Sequence, residues 1–307
     1  MLKLDRISKT YRVGAFAGKD LPAVRDVSFD IRPGEVVSLI GESGSGKSTI
    51  GRLILRLDRA TSGTITFDGT DISSLRRGGL KSYYRTTQGV FQDPFSSYNP
   101  VFKADRVLAM IRTAYFPGTS DAAWRTKVDD ALAAVSLNPA AVLDRYPHQL
   151  SGGQLQRLLI ARALLLDIKL LVADEVISML DASTRIDVLN LLADLKERGL
   201  AVLFITHDLS LGNYLSDQTV ILRRGSVVER GSTEKVFGNP LHPYTRTLLA
   251  SVPQLRRKWA EEDVAESAGP CLYHQRHPGE GPDLAEVEDE HLVACFKLHE
   301  GRKCGNE

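Results

Sequence analysis

Along the chain, short apolar runs of strand length alternate with stretches whose apolar residues recur at helical spacing. Val36 to Ile40 (VVSLI) is a compact, β-branched run and predicts a buried strand, and the following "STIGRLILRL" predicts a helix that begins near Lys47. "LLVA", residues 170–173, predicts a second buried strand ending at Asp174, and "AVLFI", residues 201–205, a third. Between those two, Val188, Leu191, Leu192 and Leu195 share one helical face, with Gly199 as the stop. Leu155, Leu159, Ala163 and Leu166 form another apolar face, on a helix that Ser151 opens as its cap. Strands alternating with helices predict an α/β fold with a parallel sheet and its chemistry at the strands' carboxyl ends.

Composition narrows the setting. At 307 residues and 43% hydrophobic, the chain can bury a substantial core and is expected to form one large unit plus additions. The 39 basic and 38 acidic side chains leave a net charge of +1, so no global field draws it to nucleic acid, which is not expected as a partner, or to anionic lipid. Every apolar run is broken well short of the ~20 residues a membrane span needs. The opening "MLKLDRISKTY" lacks the apolar core of a signal peptide, so a cytoplasmic protein is expected, one that docks on a membrane protein. Its three cysteines, Cys271, Cys295 and Cys304, all lie near the end, which argues against a disulfide-built scaffold.

The chemistry starts after the first strand. Gly41, Glu42, Ser43, Gly44, Ser45, Gly46, Lys47 and Ser48 fit G-x-x-x-x-G-K-[ST] without mismatch, a loop whose glycines let backbone N–H groups close on phosphates at a helix N-terminus. Lys47 is expected on the β/γ-phosphates and the Ser48 hydroxyl on Mg²⁺. Adjacent carboxylates are costly to bury without a task. Asp174 is expected to hold Mg²⁺ through its water shell, and Glu175 to act as general base on the attacking water. His207, just past the third strand, is expected beside Glu175, near the γ-phosphate. Ser151-Gly152-Gly153 is a second anion-binding helix start that the first loop cannot use in the same molecule, which implies a head-to-tail dimer with shared pockets.

The combination of "GESGSGKST", "LSGGQ" (Leu150 to Gln154), "LLVADE", "SMLD" and "ITHD", in this order, resembles the ATP-binding cassette family over roughly residues 2–250. The resemblance implies a phosphate-loop fold in which a parallel-sheet core is joined by an antiparallel β subdomain and a helical subdomain. It implies ATP and Mg²⁺ as cofactors, Tyr11 stacking on adenine, Thr49 within the phosphate loop's reach, and Gln92 sensing Mg²⁺ and the attacking water. It also implies that Ser151, Gly152, Gly153 and Gln154 meet a partner's γ-phosphate, while Ser178 and Asp181 run along the dimer seam. "VFQDPFSSYNP", the inserted loop "RVGAFAGKDLPAV" and "FGNPLHPYTRTLLASVP" are similar to ATPase subunits of dipeptide, oligopeptide and nickel importers. The expected organisation is a cassette over residues 1–235, its helical part at about 93–164, and a C-terminal extension over 236–307.

That resemblance implies a peripheral subunit on the cytoplasmic face of the cell membrane, powering peptide uptake. Its partners would be two permeases, a second cassette of the same or a related kind and, indirectly, an external solute-binding protein. A nickel or other small-solute importer is the alternative; of another class are a soluble cassette ATPase and a weakly catalytic structural partner. The chain departs from the family at Val176-Ile177, where proline with threonine or valine is usual, and at Gln149, where glutamate is common. Some members carry four tail cysteines on an iron–sulfur cluster; here Cys271, His277, Cys295 and Cys304 offer a weaker set for zinc or a cluster. Free thiols in a partly flexible acidic tail are the favoured expectation.

Overall fold

The computed structural model describes residues 1–13, 19–178, 180–251 and 284–295. The chain forms two compact units, one of Met1–Ile31, Val36–Ser73 and Phe204–Glu307, the other of Arg32–Glu35 and Ser74–Leu203.

In the first unit, a four-stranded antiparallel sheet runs in the order Lys19–Ile31, Leu2–Val13, Ser62–Phe67, Thr70–Asp71. The stretch read as an inserted loop is therefore β-structure on both sides of residues 14–18. Its proline, Pro22, is tolerated because Lys19–Ile31 is the sheet's outer strand, where one missing N–H leaves no inner ladder broken. A second group of strands places Val36–Ile40 parallel to Gln218–Arg223, and Ser226–Ser232 antiparallel to the latter. Val36–Ile40 is buried at every position, as its unbroken apolar run predicts.

The tail differs from expectation. Ala285–Glu288 and His291–Val293 form a hairpin, and His291–Val293 pairs with Ser226–Ser232, extending the sheet. Ala285, Val287, His291 and Val293 point inward and the glutamates outward, the period-2 pattern of a half-buried strand. Cys295 is fully buried, not a thiol in a flexible tail. Cys271, His277 and Cys304 lie outside the described residues.

The second unit holds the parallel pair Thr87–Val90 and Leu170–Asp174, the latter wholly buried. Helices Arg106–Tyr115 and Asp121–Ala134 pack against helix Gly152–Leu164, which also meets strand Thr87–Val90. Surrounded in this way, Gly152–Leu164 buries more than the single stripe read from Leu155, Leu159 and Ala163. Gln156, Leu158, Ile160 and Ala161 are buried too, and Leu166 lies past the helix end. Helix Ala182–Glu197 buries Val188, Leu189, Leu192 and Leu195, and Gly199 takes φ +92° just beyond it. Strand Ala201–Thr206, whose residues are divided between the two units at Leu203, is wholly buried.

Candidate functional site

In the first unit, strand Val36–Ile40 delivers the chain into the glycine loop and helix Lys47–Ile54 leaves it. Two glycines are demanded by geometry. A Cβ on Gly41 would stand 2.1 Å from the Leu222 carbonyl oxygen, and Gly46 takes φ +105° with the Ala23 carbonyl 2.5 Å from where its Cβ would sit. The loop is held from outside by Gly225 N–H, which donates to Ser45 O at 2.9 Å, and from inside by Ser45 N–H to Glu42 O at 3.1 Å. Lys47 is nearly buried, and its ammonium donates to the carbonyls of Gly41 (2.7 Å) and Glu42 (2.8 Å). The ammonium therefore rests on the loop that it is expected to help wrap around phosphate.

Tyr11 stands beside the same helix. Its hydroxyl donates to Asp58 Oδ2 at 3.1 Å and engages Thr49, while burial pushes its phenol up. Asp58 in turn accepts from Arg52 Nε at 2.8 Å, and that guanidinium holds its carboxyl below the usual range. The Lys9 ammonium lies 4.8 Å from the centre of the Tyr11 ring. His207 is exposed at the end of strand Ala201–Thr206, one residue before Asp208, whose carboxylate accepts from the amides of Ser210 and Leu211 to open the next helix.

In the second unit, strand Leu170–Asp174 ends in Asp174, 7% exposed, and the chain turns at once: Glu175 takes φ +49°, a left-handed conformation uncommon outside glycine. The turn is closed by Ser178, whose N–H (3.1 Å) and hydroxyl (2.9 Å) both donate to Glu175 O. Val176 and Ile177, where the family has proline, are buried apolar residues, and the loop after them is tied by Arg185 to the carbonyls of Leu180 (2.8 Å) and Ser178 (3.2 Å). The loop that loses proline is thus anchored by packing and by one guanidinium.

Asp181 caps helix Ala182–Glu197, accepting from the hydroxyls of Ser183 (2.6 Å) and Thr184 (2.9 Å) and from the Thr184 amide (3.0 Å). These bonds, the Ser183 hydroxyl first, hold its carboxyl far below the usual range. Ser151 opens helix Gly152–Leu164 in a reciprocal capping box: its hydroxyl accepts from Gln154 N–H at 3.2 Å, and Gln154 Oε1 accepts from Ser151 N–H at 2.9 Å. The first two helical amides, those of Gly152 and Gly153, have no acceptor within the helix and are the ones available to an anion.

Gln92 is exposed in the loop after strand Thr87–Val90. That loop and the strand before it are fastened to helix Gly152–Leu164 by residues the sequence reading did not single out. Gln156 Nε2 donates to Phe91 O at 3.3 Å, Tyr98 O–H to Leu155 O at 3.0 Å, and Arg162 to Gly89 O at 3.0 Å. A glutamine buried mid-helix and a tyrosine in a Pro-rich loop were the available signals. Gln149, the other departure from the family, accepts from Tyr146 N–H at 2.9 Å, a bond that glutamate would also make. Among the described residues no cluster of three or more histidine, cysteine or acidic side chains forms a metal site. No described helix is long and apolar enough to cross a membrane.

Comparison with known proteins agrees with this geometry. The ABC transporter family matches residues 24–178, and the oligopeptide/dipeptide transporter C-terminal region matches residues 228–281. A putative peptide import ATP-binding protein of Brucella ovis is 39% identical, covering 97% of this chain and 98% of its own. The oligopeptide transport ATP-binding protein OppF of Bacillus subtilis is 40% identical over 89% of this chain and 90% of its own. A solved ATP-binding cassette, dimeric in a post-hydrolysis state with ADP and phosphate, is 31% identical and superposes with a TM-score of 0.69 over 76% of this chain and 99% of its own. With the phosphate loop, the paired carboxylates and the serine-capped helix all formed, the chain belongs to the ABC transporter family, as one of its ATP-binding and ATP-hydrolysing subunits.

Proposed function

We propose that this subunit powers peptide uptake from the cytoplasmic face of the cell membrane, as a peripheral partner of two permeases. A second ATP-binding subunit, identical or related, completes the pair, and an external solute-binding protein delivers the peptide. The observation that carries this reading is that one chain bears both the cassette and the oligopeptide/dipeptide C-terminal region. Relatives named for peptide import and oligopeptide transport, matching nearly end to end, support it. On this reading the cassette spans residues 1–235, with its helical part at about 93–164, and the extension spans 236–307.

The roles follow from the donors on hand. Tyr11 receives adenine; the amides of the loop from Gly41 to Thr49 and the Lys47 ammonium receive the phosphates. Ser48, Gln92 and Asp174 offer only oxygen, a set that suits a small hard cation such as Mg²⁺. When bound, the ion neutralises charge on the transferring phosphoryl group. Glu175 takes a proton from the attacking water as the water's oxygen bonds to the γ-phosphorus and the bond from that phosphorus to the β-phosphate oxygen breaks, releasing ADP, and His207 orients that water and the phosphate. The Gly152 and Gly153 amides of a second copy complete the pocket.

Uptake assays test the transported class. Disrupting the gene should reduce uptake of a radiolabelled tetrapeptide to background and leave radiolabelled nickel uptake unchanged. The reverse pattern would sink the peptide reading in favour of nickel.

A further inference from the structure

We infer that Tyr244, in the C-terminal extension, is a positioning residue for the phosphate loop, holding the Glu42 peptide against which Lys47 leans. This rests on the reading of Gly41 to Thr49 as the ATP phosphate loop. Glu42 N–H donates to the Tyr244 hydroxyl at 3.2 Å, across a separation of 202 residues. The Glu42 carbonyl accepts from Lys47 Nζ at 2.8 Å and from Ser45 N–H at 3.1 Å. The Gly41–Glu42 peptide group is thus gripped at its N–H by the extension and at its Gly41 carbonyl by Lys47 Nζ, 2.7 Å away, while the next carbonyl, that of Glu42, is held within the loop.

The hydroxyl is itself fixed. Tyr244 is 6% exposed, its ring packed with Ile40, Leu209, Ile221, Val228 and Val236, and the Arg223 guanidinium lies 4.8 Å from its centre. It begins helix Pro243–Ala250, whose start is bound to a buried carboxylate: Glu229 accepts from the amides of Leu241 (2.8 Å) and His242 (2.9 Å). His242 Nδ1 then accepts from Tyr244 N–H at 3.0 Å. His291, from the tail hairpin, lies 2.8 Å from the same Glu229 carboxylate, and Glu229, His242 and His291 are all wholly buried. A fully buried carboxylate is costly unless its oxygens are taken, and here they are taken by the two amides that start this helix. Hydrogen bonds run from the tail hairpin through Glu229 and the helix start to Tyr244. Packing then sets its hydroxyl against the loop.

A loop held in shape before nucleotide arrives loses less freedom on binding it, so the extension contributes to ATP affinity without touching ATP. Tyr244→Phe keeps the ring and its packing and removes only the hydroxyl. In purified full-length protein it should raise the ATP dissociation constant about three- to tenfold, the worth of one net hydrogen bond, and leave kcat at saturating ATP within about twofold. Arg246→Ala, on the same helix but with an exposed side chain whose Nε donates to the Pro240 carbonyl, should leave ATP affinity unchanged. Titration calorimetry with ATP reads both variants beside Lys47→Ala. If Lys47→Ala abolishes binding and Tyr244→Phe binds as the parent does, the inference falls while the phosphate-loop reading stands. An equal loss in Arg246→Ala would assign the effect to helix docking and overturn the role of the hydroxyl. Normal ATP binding by Lys47→Ala would overturn the phosphate-loop reading and the inference with it.

Discussion

At the scale of the residue, Tyr11 shows how an aromatic proposed to meet adenine is oriented by its neighbours. Its hydroxyl is held by Asp58, which Arg52 in turn holds, so the ring's orientation is set from below. With the Lys9 ammonium over one face, a stacked base takes the opposite face or displaces that ammonium. Stacking uses the ring and not the hydroxyl. Tyr11→Phe should therefore bind ATP within a factor of about three of the parent, whereas Tyr11→Ala should lose about 1–3 kcal/mol, roughly five- to 150-fold in affinity. Because every base has a π-face, GTP affinity should fall with ATP affinity, and fluorescence titration with both nucleotides reads the difference. An unchanged Tyr11→Ala would remove the residue from the pocket. Only the family resemblance singles out the tyrosine, and its carboxylate anchor, 47 residues away, leaves no mark in the sequence.

At the scale of the element, what could be read was what is local. The strands Val36–Ile40, Leu170–Asp174 and Ala201–Thr206 follow from unbroken apolar runs, and the capped start at Ser151 from serine before two glycines. Contacts between elements were hidden, because a periodic pattern names a buried face without naming what covers it. Tyr98 on Leu155, Gln156 on Phe91 and Tyr244 on Glu42 are all of this kind. So is the close approach of the two capped helices in the second unit. A Cβ on Gly153 would stand 2.9 Å from Thr184 Cγ2 and 3.7 Å from Leu180 Cδ2, and Thr184 is itself held by Asp181. Gly153 thus serves contact within the chain, beside the anion contact proposed for its amide. Gly153→Ala should overpack this junction and cost about 1–3 kcal/mol in urea unfolding. Thr184→Ser deletes the offending methyl and keeps the hydroxyl bonded to Asp181, so the double variant should recover most of that loss. A double variant no more stable than Gly153→Ala alone would show that the methyl is not the obstacle.

At the scale of the whole molecule, the chain carries a phosphate loop before helix Lys47–Ile54 and, at helix Gly152–Leu164, a serine-capped start whose first two residues are glycines. A helix N-terminus is a weak attractor in water and a strong one against a desolvated phosphate, so its energy is realised only when a second copy closes over bound nucleotide. On the proposed function the γ-phosphate is the group that joins two copies, and its removal releases them. Glu175→Gln keeps the size and polarity of the side chain but cannot accept the water's proton. It should bind ATP normally and cut hydrolysis by about 10²–10⁴-fold. Unable to clear the γ-phosphate, the variant should accumulate as a pair in ATP with Mg²⁺ and return to single copies in ADP, as light scattering after size exclusion would report. If the natural assembly pairs this chain with a related subunit, the doubled species appears only when that companion is added. Single copies in ATP under both conditions would refute the shared pocket. Full turnover by Glu175→Gln would instead leave the pocket standing and move the general base elsewhere.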